Sequence, residues 1–178
     1  MAGQRLTDKT ALEEQAGSGD LLMLVDVNDT TGSSAGTSKK TDFKYVIQTD
    51  KFSLSNAEVL ALDSTPKTLI GALSGYMPTI FNVTVLCTYA SATEGARKDL
   101  LFGFDDASDS QYWGKVDDCM ESITSSPTYV VQAQDSPRSP SFALSLLNKP
   151  FICWSEGTGF TGGWSCDIYV TYAYTKVL

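Results

Sequence analysis

Two stretches of the sequence alternate between apolar and polar residues, and this alternation limits the fold more than any other feature. In residues 80–89 the alternate positions on one face are Phe81, Val83, Val85, Cys87 and Tyr89. In residues 166–174 they are Cys166, Ile168, Val170, Tyr172 and Tyr174. A period of two is typical of antiparallel strands that bury one face and expose the other. The sequence therefore predicts two half-buried antiparallel strands.

Shorter candidate strands accompany these two, at residues 67–73, 100–104, 128–133 and 150–154. Gly, Pro, Ser and Asp concentrate between them, as expected of turns. Residues 59–62 form a brief apolar stretch that is predicted to be a helical turn leading into the sheet. Several short strands separated by turns indicate a mainly β fold, an antiparallel β-sandwich of jelly-roll type, over residues 51–178.

Residues 1–50 have a different pattern. The spacing of Thr10 and Glu13 is that of a capping box, which predicts a short helix. Residues 21–25 are a continuous apolar run, short enough for a buried strand, and residues 37–40 fit a return strand. Residues 41–47 fit either one helical turn or more strand. The sequence thus predicts a small N-terminal α+β segment, with a weak boundary near residue 50.

This N-terminal segment is too small to bury its own apolar side chains. One hairpin with one or two helical turns has a marginal core at best. Its apolar residues therefore need a second surface, either the rest of the chain or copies of the same segment. The predicted docking and oligomerisation interface consists of Leu21, Leu22, Met23, Leu24, Val25, Phe43, Tyr45 and Ile47.

Composition excludes several classes of function. The 13 Lys and Arg against 21 Asp and Glu leave a net charge of −8, which is the wrong sign for a nucleic-acid partner. No apolar run approaches the roughly 18–20 residues that span a bilayer, and the first residues lack the apolar region of a signal peptide. The chain has no histidine, which excludes Ser-His-Asp and Cys-His nucleophiles and His-ligated zinc. Carboxylate pairs, lysine chemistry and oxygen-ligated calcium remain possible, whereas most familiar hydrolase designs do not.

The four cysteines, Cys87, Cys119, Cys153 and Cys166, show no C-x-x-C spacing. Without such a motif or a secretion signal, they are predicted to be free thiols. Cys87 and Cys166 also lie in phase with the apolar faces of the two long strands, which suits small buried residues.

Acidic residues concentrate between Asp105 and Glu121, with Lys115 as the only cation. Clustered carboxylates can bind calcium, but the order of residues in a dedicated calcium loop is missing. The segment is therefore predicted to be two solvated loops without a metal. A glycosidase would need two carboxylates at a fixed distance across a sugar, and the sequence does not supply that distance.

Three tryptophans, Trp113, Trp154 and Trp164, are candidate glycan-binding residues. Exposed indoles would form a stacking surface for sugar rings, whereas buried indoles would close one end of a sandwich. Because aromatic side chains are mostly buried, the core interpretation is favoured and glycan binding is the alternative.

The N-terminal segment resembles a module found at the start of bacteriophage tail, fibre and other virion proteins. The matching residues are Leu12, Asp20, Leu21, Val25, Asp26, Gly36, Thr37, Lys39 and Lys40. The rest of the chain resembles a β-sandwich module of phage fibres and capsid appendages. Its matching residues are Ala57, Glu58, Leu60, Leu62, Thr65, Pro66, Tyr169, Val170 and Tyr172, whereas residues 72–76 depart from the usual pattern.

This resemblance implies a non-enzymatic structural component of a tailed bacteriophage virion, such as a head fibre, decoration or tail-appendage protein. Such a component would have no catalytic residues and no cofactor. It would be assembled in the bacterial host cytoplasm and located in the virion. Its partners would be copies of itself, most often with threefold symmetry, and other virion proteins of the capsid or tail. The alternative is a glycan-binding host-recognition module of a phage receptor-binding protein, whose partner would be a host surface glycan.

Overall fold

The computed structural model describes residues 21–32, 34, 36–42, 46–104, 112–133, 147–155 and 157–176. These residues form a mainly β structure that divides into two compact units between Val46 and Ile47. We call residues 1–46 the hairpin unit and residues 47–178 the two-sheet unit. The predicted boundary near residue 50 falls inside the first strand of the two-sheet unit.

In the described part of the hairpin unit, two strands form, β1 (Leu21–Asp26) and β2 (Thr37–Asp42). They pair antiparallel, from Leu21 opposite Asp42 to Asp26 opposite Thr37. These strands lie where the sequence predicted a strand and a return strand, and the return strand extends to Asp42. The helix that was predicted from Thr10 and Glu13 lies outside the described residues.

The described residues of the two-sheet unit form eight strands and one short helix. The elements are β3 (Gln48–Leu54), α1 (Asn56–Leu60), β4 (Lys67–Ile70), β5 (Tyr76–Tyr89), β6 (Leu100–Phe104), β7 (Tyr112–Val116), β8 (Thr128–Val131), β9 (Phe151–Ser155) and β10 (Trp164–Lys176). Sheet one has the order β3-β10-β5-β8, and sheet two has the order β4-β9-β6-β7. All neighbouring strands are antiparallel.

A single apolar cluster takes side chains from both sheets. Val83 of β5 and Ile168 of β10 come from sheet one, and Phe102 of β6 and Phe151 of β9 come from sheet two, all without solvent exposure. The ring of Phe151 lies 6.5 Å from that of Phe102 and 5.9 Å from that of Trp113. The two sheets therefore contribute side chains to one core, and protein cores of this kind are close-packed.

The predicted strands form, but two strands were not predicted. Strands β3 and β7 both lie at sheet edges. In β3 only the end residues Gln48 and Leu54 are fully buried, so the strand has no strong apolar alternation. Such an edge strand can be identified only from the strand with which it pairs. The partner of β3 is β10, which is more than a hundred residues away in sequence.

Phe81 does not lie on the face that the alternation predicted. The pairing of β5 with β10 shifts register here, since Asn82 is opposite Thr171 and Ile80 is opposite Tyr172. Phe81 is the extra residue of a β-bulge, and a bulge reverses the phase of the strand before it. As a result Ile80 packs against the core while Phe81 is 50% exposed.

The predicted helical turn is α1, which begins after Ser55. The Ser55 hydroxyl accepts a hydrogen bond from the Glu58 backbone N–H, and the Glu58 carboxylate accepts one from the Ser55 N–H at 2.9 Å. This reciprocal capping box starts the helix, and Val59 and Leu62 then bury against the core. Within the described part of the chain, no helix is long and apolar enough to cross a membrane.

Candidate functional site

The predicted docking interface is described only in part. Leu21, Leu22, Met23, Leu24 and Val25 form the backbone of β1 and pair with β2. Ile47, the first residue of the two-sheet unit, exposes 61% of its surface. The predicted contacts at Phe43 and Tyr45 lie outside the described residues, so the interface as a whole stays a prediction.

A polar turn orders the connection between β1 and β2. The Asp29 carboxylate accepts hydrogen bonds from the Thr31 N–H and hydroxyl at 3.0 and 2.6 Å, and it pairs with the Lys39 ammonium group. The Lys39 contact, followed by the Thr31 bonds, lowers the pKa of Asp29 to about 2. The turn is therefore held by an ionised carboxylate at neutral pH.

The three candidate glycan-binding indoles are largely in apolar surroundings. Trp164 is fully buried, with its ring edge-on to Phe160 at 5.0 Å, and Trp154 is 3% exposed. Trp113 is partly buried against Phe151. Trp164 belongs to the core shared by the two sheets, whereas Trp154 lies in a separate small apolar cluster with Leu101 and Ile152. Neither of these two indoles offers an exposed face to a sugar ring in this structure.

Sequence reasoning missed a buried carboxylate beside the glycine-rich turn at residues 157–163. Glu94 has no solvent exposure, and it accepts hydrogen bonds from the backbone N–H groups of Thr161 and Gly162, both at 2.9 Å. The Thr161 hydroxyl adds a third bond at 2.7 Å. From the other side, the Asn56 amide donates to the carbonyl of Gly162 at 2.9 Å. Every oxygen of the Glu94 carboxylate is occupied, so its role is to hold this turn.

The four thiols are free, as predicted, and all four are buried, including Cys87 and Cys166, for which burial was predicted. Cys87 and Cys166 face each other across β5 and β10. The pKa of Cys119 is raised by its hydrogen bond with Cys87 and by burial, and burial raises the pKa of Cys153 to about 12. Because the thiolate is the nucleophile, a raised pKa makes Cys119 and Cys153 poor nucleophiles at neutral pH.

Two carboxylates of the described part of the acidic segment form ion pairs, Asp117 with Lys115 and Glu121 with Arg97. The Lys115 ammonium group lies 2.7 Å from Asp99 and 2.6 Å from Asp117. These two carboxylates raise the pKa of Lys115. Among the residues that the structure describes, no group of three His, Cys, Asp or Glu side chains could hold a metal ion. The predictions for Asp105, Asp106 and Asp109 lie outside the described residues.

No protein-family model matches the sequence, and the search of curated proteins finds no match. The strand pairing and the surface of the chain itself are therefore the basis for its proposed function.

Proposed function

We propose that this chain is a non-enzymatic structural component of a tailed bacteriophage virion, as a head fibre, decoration or tail-appendage protein. In this proposal the hairpin unit docks on other copies of the chain, as a homotrimer, and on capsid or tail proteins. The two-sheet unit is then displayed at the particle surface, where it takes part in host attachment.

The observation that carries this proposal is the pairing pattern of the two-sheet unit. Strand β3 pairs with β10, β4 with β9, β5 with β8 and β6 with β7. Such pairing is what results when one long hairpin folds over and wraps into two sheets, which supports a jelly-roll sandwich. Jelly rolls are common in viral capsid and lectin domains, and the shared core of the two sheets agrees with a sandwich.

The hairpin unit supports the assembly step. A two-stranded sheet is marginally stable alone in water, and β1 carries the sequence LLMLV. Burial of each such side chain against another surface is worth about 1.5–3 kcal/mol. Copies of one chain supply that surface by symmetry.

The test replaces both Leu22 and Leu24 with Asp. Two charges in the apolar strand should prevent its burial, so the variant should be a folded monomer that does not join particles. Native mass spectrometry and light scattering measure the oligomer, and circular dichroism checks the fold.

The matched control places two Asp residues in the same unit, at the exposed turn positions Asn28 and Thr30. This Asn28→Asp, Thr30→Asp variant should assemble like the unmodified chain. Assembly of the Leu22→Asp, Leu24→Asp variant to the normal size would contradict the proposed docking surface.

The alternative function is that of a glycan-binding host-recognition module. The jelly-roll pairing favours it too, since lectin domains share this architecture. Of the three indoles, Trp113 is the one that is not fully buried. A shift of tryptophan fluorescence on addition of host polysaccharide, absent in a Trp113→Phe variant, would favour indole stacking.

A further inference from the structure

A polar cleft of about 430 Å³ opens at one end of sheet one. Four hydroxyl side chains and two carboxylates line it. They are Ser53, Ser55, Thr88 and Ser165, with Glu58 and Asp167. Its volume falls within the range of about 300–1,000 Å³ that is typical of small-molecule sites.

Strand register brings these residues together from distant parts of the sequence. Asp167 of β10 lies opposite Ser53 of β3, and Ser165 of β10 lies opposite Thr88 of β5. The capping box of α1 closes the same end of β3 with Ser55 and Glu58. The lining is therefore carried by three paired strands and a capped helix start, which keep the polar groups at fixed positions.

The two carboxylates are held in place by lysines. The Lys67 ammonium group lies 2.7 Å from one oxygen of Glu58, and the Lys51 ammonium group lies 2.9 Å from one oxygen of Asp167. The second oxygen of Asp167 accepts a hydrogen bond from the Ser53 hydroxyl at 2.6 Å. The Lys67 contact lowers the pKa of Glu58 to about 2, and the bonds from Ser53 and Lys51 lower the pKa of Asp167.

We infer that this cleft binds a neutral sugar residue through hydrogen bonds to its hydroxyl groups. Carboxylates are strong acceptors for sugar O–H groups. The hydroxyls of Ser53 and Ser55 donate to Asp167 and Glu58 and can accept from a sugar, whereas the hydroxyls of Thr88 and Ser165 are groups that both donate and accept. An anionic sugar is disfavoured, because Glu58 and Asp167 line the cleft whereas their partners Lys67 and Lys51 do not, and the net charge of the chain is −8.

The same arrangement argues for binding rather than hydrolysis. A glycosidase needs one carboxylic acid that is protonated and donates to the leaving oxygen. Both carboxylates of the cleft are ionised at neutral pH, since their pKa values are lowered by their partners. The inference does not depend on the virion proposal, because sugar binding and oligomer formation are measured separately.

The experiment uses the full chain and saturation-transfer NMR with glucose, galactose, N-acetylglucosamine and glucuronic acid as probes. At least one neutral sugar should bind, and glucuronic acid should bind at least tenfold more weakly. A Thr88→Tyr variant, which fills the cleft from an exposed strand position, should weaken neutral-sugar binding at least tenfold.

The matched control is Thr128→Tyr, an exposed threonine of the neighbouring strand β8 that does not line the cleft. This variant should bind the sugar like the unmodified chain, and thermal unfolding should show both variants folded. A second variant, Asp167→Asn, should weaken the binding of the neutral sugar and reduce the discrimination against glucuronic acid. The inference is overturned if no neutral sugar binds, if Thr88→Tyr binds as well as the control, or if glucuronic acid binds equally.

Discussion

Glu94 has a larger structural role than its position in a polar loop indicates. A buried charge is unfavourable unless hydrogen bonds satisfy it, and the carboxylate of Glu94 satisfies this condition through Thr161 and Gly162. These donors lie in the turn that precedes β10, the strand shared by β3 and β5. The Glu94 side chain thus holds the turn that leads into β10, an inner strand of sheet one.

Replacement of Glu94 by Gln should destabilise the fold by about 1–3 kcal/mol, the usual penalty for a buried group that loses its partner. The amide nitrogen of Gln is a donor, and it would face backbone N–H donors that need an acceptor. Urea unfolding measures the free energy. Glu121→Gln is the control, since the Glu121 side chain is 33% exposed and lies 3.8 Å from Arg97. Equal stability of the two variants would contradict the proposed role.

At the scale of elements, the two edge strands β7 and β8 approach closely at Gly114. A Cβ atom at this position would lie 2.7 Å from the Gln132 carbonyl oxygen and 2.9 Å from a methyl group of Val131. Real Cβ atoms do not tolerate such distances, so only glycine allows this approach. The contact joins β7, an edge strand of sheet two, to β8, an edge strand of sheet one.

We therefore predict that Gly114→Ala lowers the free energy of unfolding by about 1–3 kcal/mol, the usual range for overpacking. Gly71→Ala is the matched control, because a Cβ atom there meets no other atom within 4 Å. Thermal or urea unfolding measures both variants. A Gly114→Ala chain as stable as Gly71→Ala would show that β7 and β8 separate freely.

At the scale of the whole molecule, acid should weaken the fold through carboxylates that form ion pairs. The pKa of Glu58 falls from 4.5 to about 2, mainly through Lys67, and that of Asp29 falls from 3.8 to about 2, mainly through Lys39. A carboxylate whose pKa is lower in the folded chain stabilises the fold above its unfolded pKa. That contribution is lost as the pH falls from about 4.5 towards 2.

The melting temperature should therefore decline between pH 5 and pH 2. Glu58→Gln should show a smaller decline, since it has already lost one of these carboxylates, whereas its melting temperature at pH 7 should be slightly lower. Calorimetry at several pH values measures both effects. An identical acid dependence in Glu58→Gln would show that the contact with Lys67 does not stabilise the fold.

Much of the fold was predictable because local pattern determined it. The alternation in β5 and β10, the apolar run of β1 and the helical turn at α1 each depend on residues that are close in sequence. An alternation with a period of two shows which side chains lie on the same face of a strand. Burial of the apolar face then stabilises the strand in the folded chain. The mainly β class and the burial of Cys87 and Cys166 followed from the same local properties.

The tertiary structure alone decided what depends on distant residues. It identified β3 and β7 as strands through their pairing, and it turned Phe81 outward through a bulge against β10. In the folded chain, Glu94 accepts hydrogen bonds from Thr161, which is 67 residues away in sequence. The residues that line the polar cleft come together from three strands in the same way. The physical reason is that these features arise from contacts between chain segments, and the local sequence of one segment does not carry the position of another.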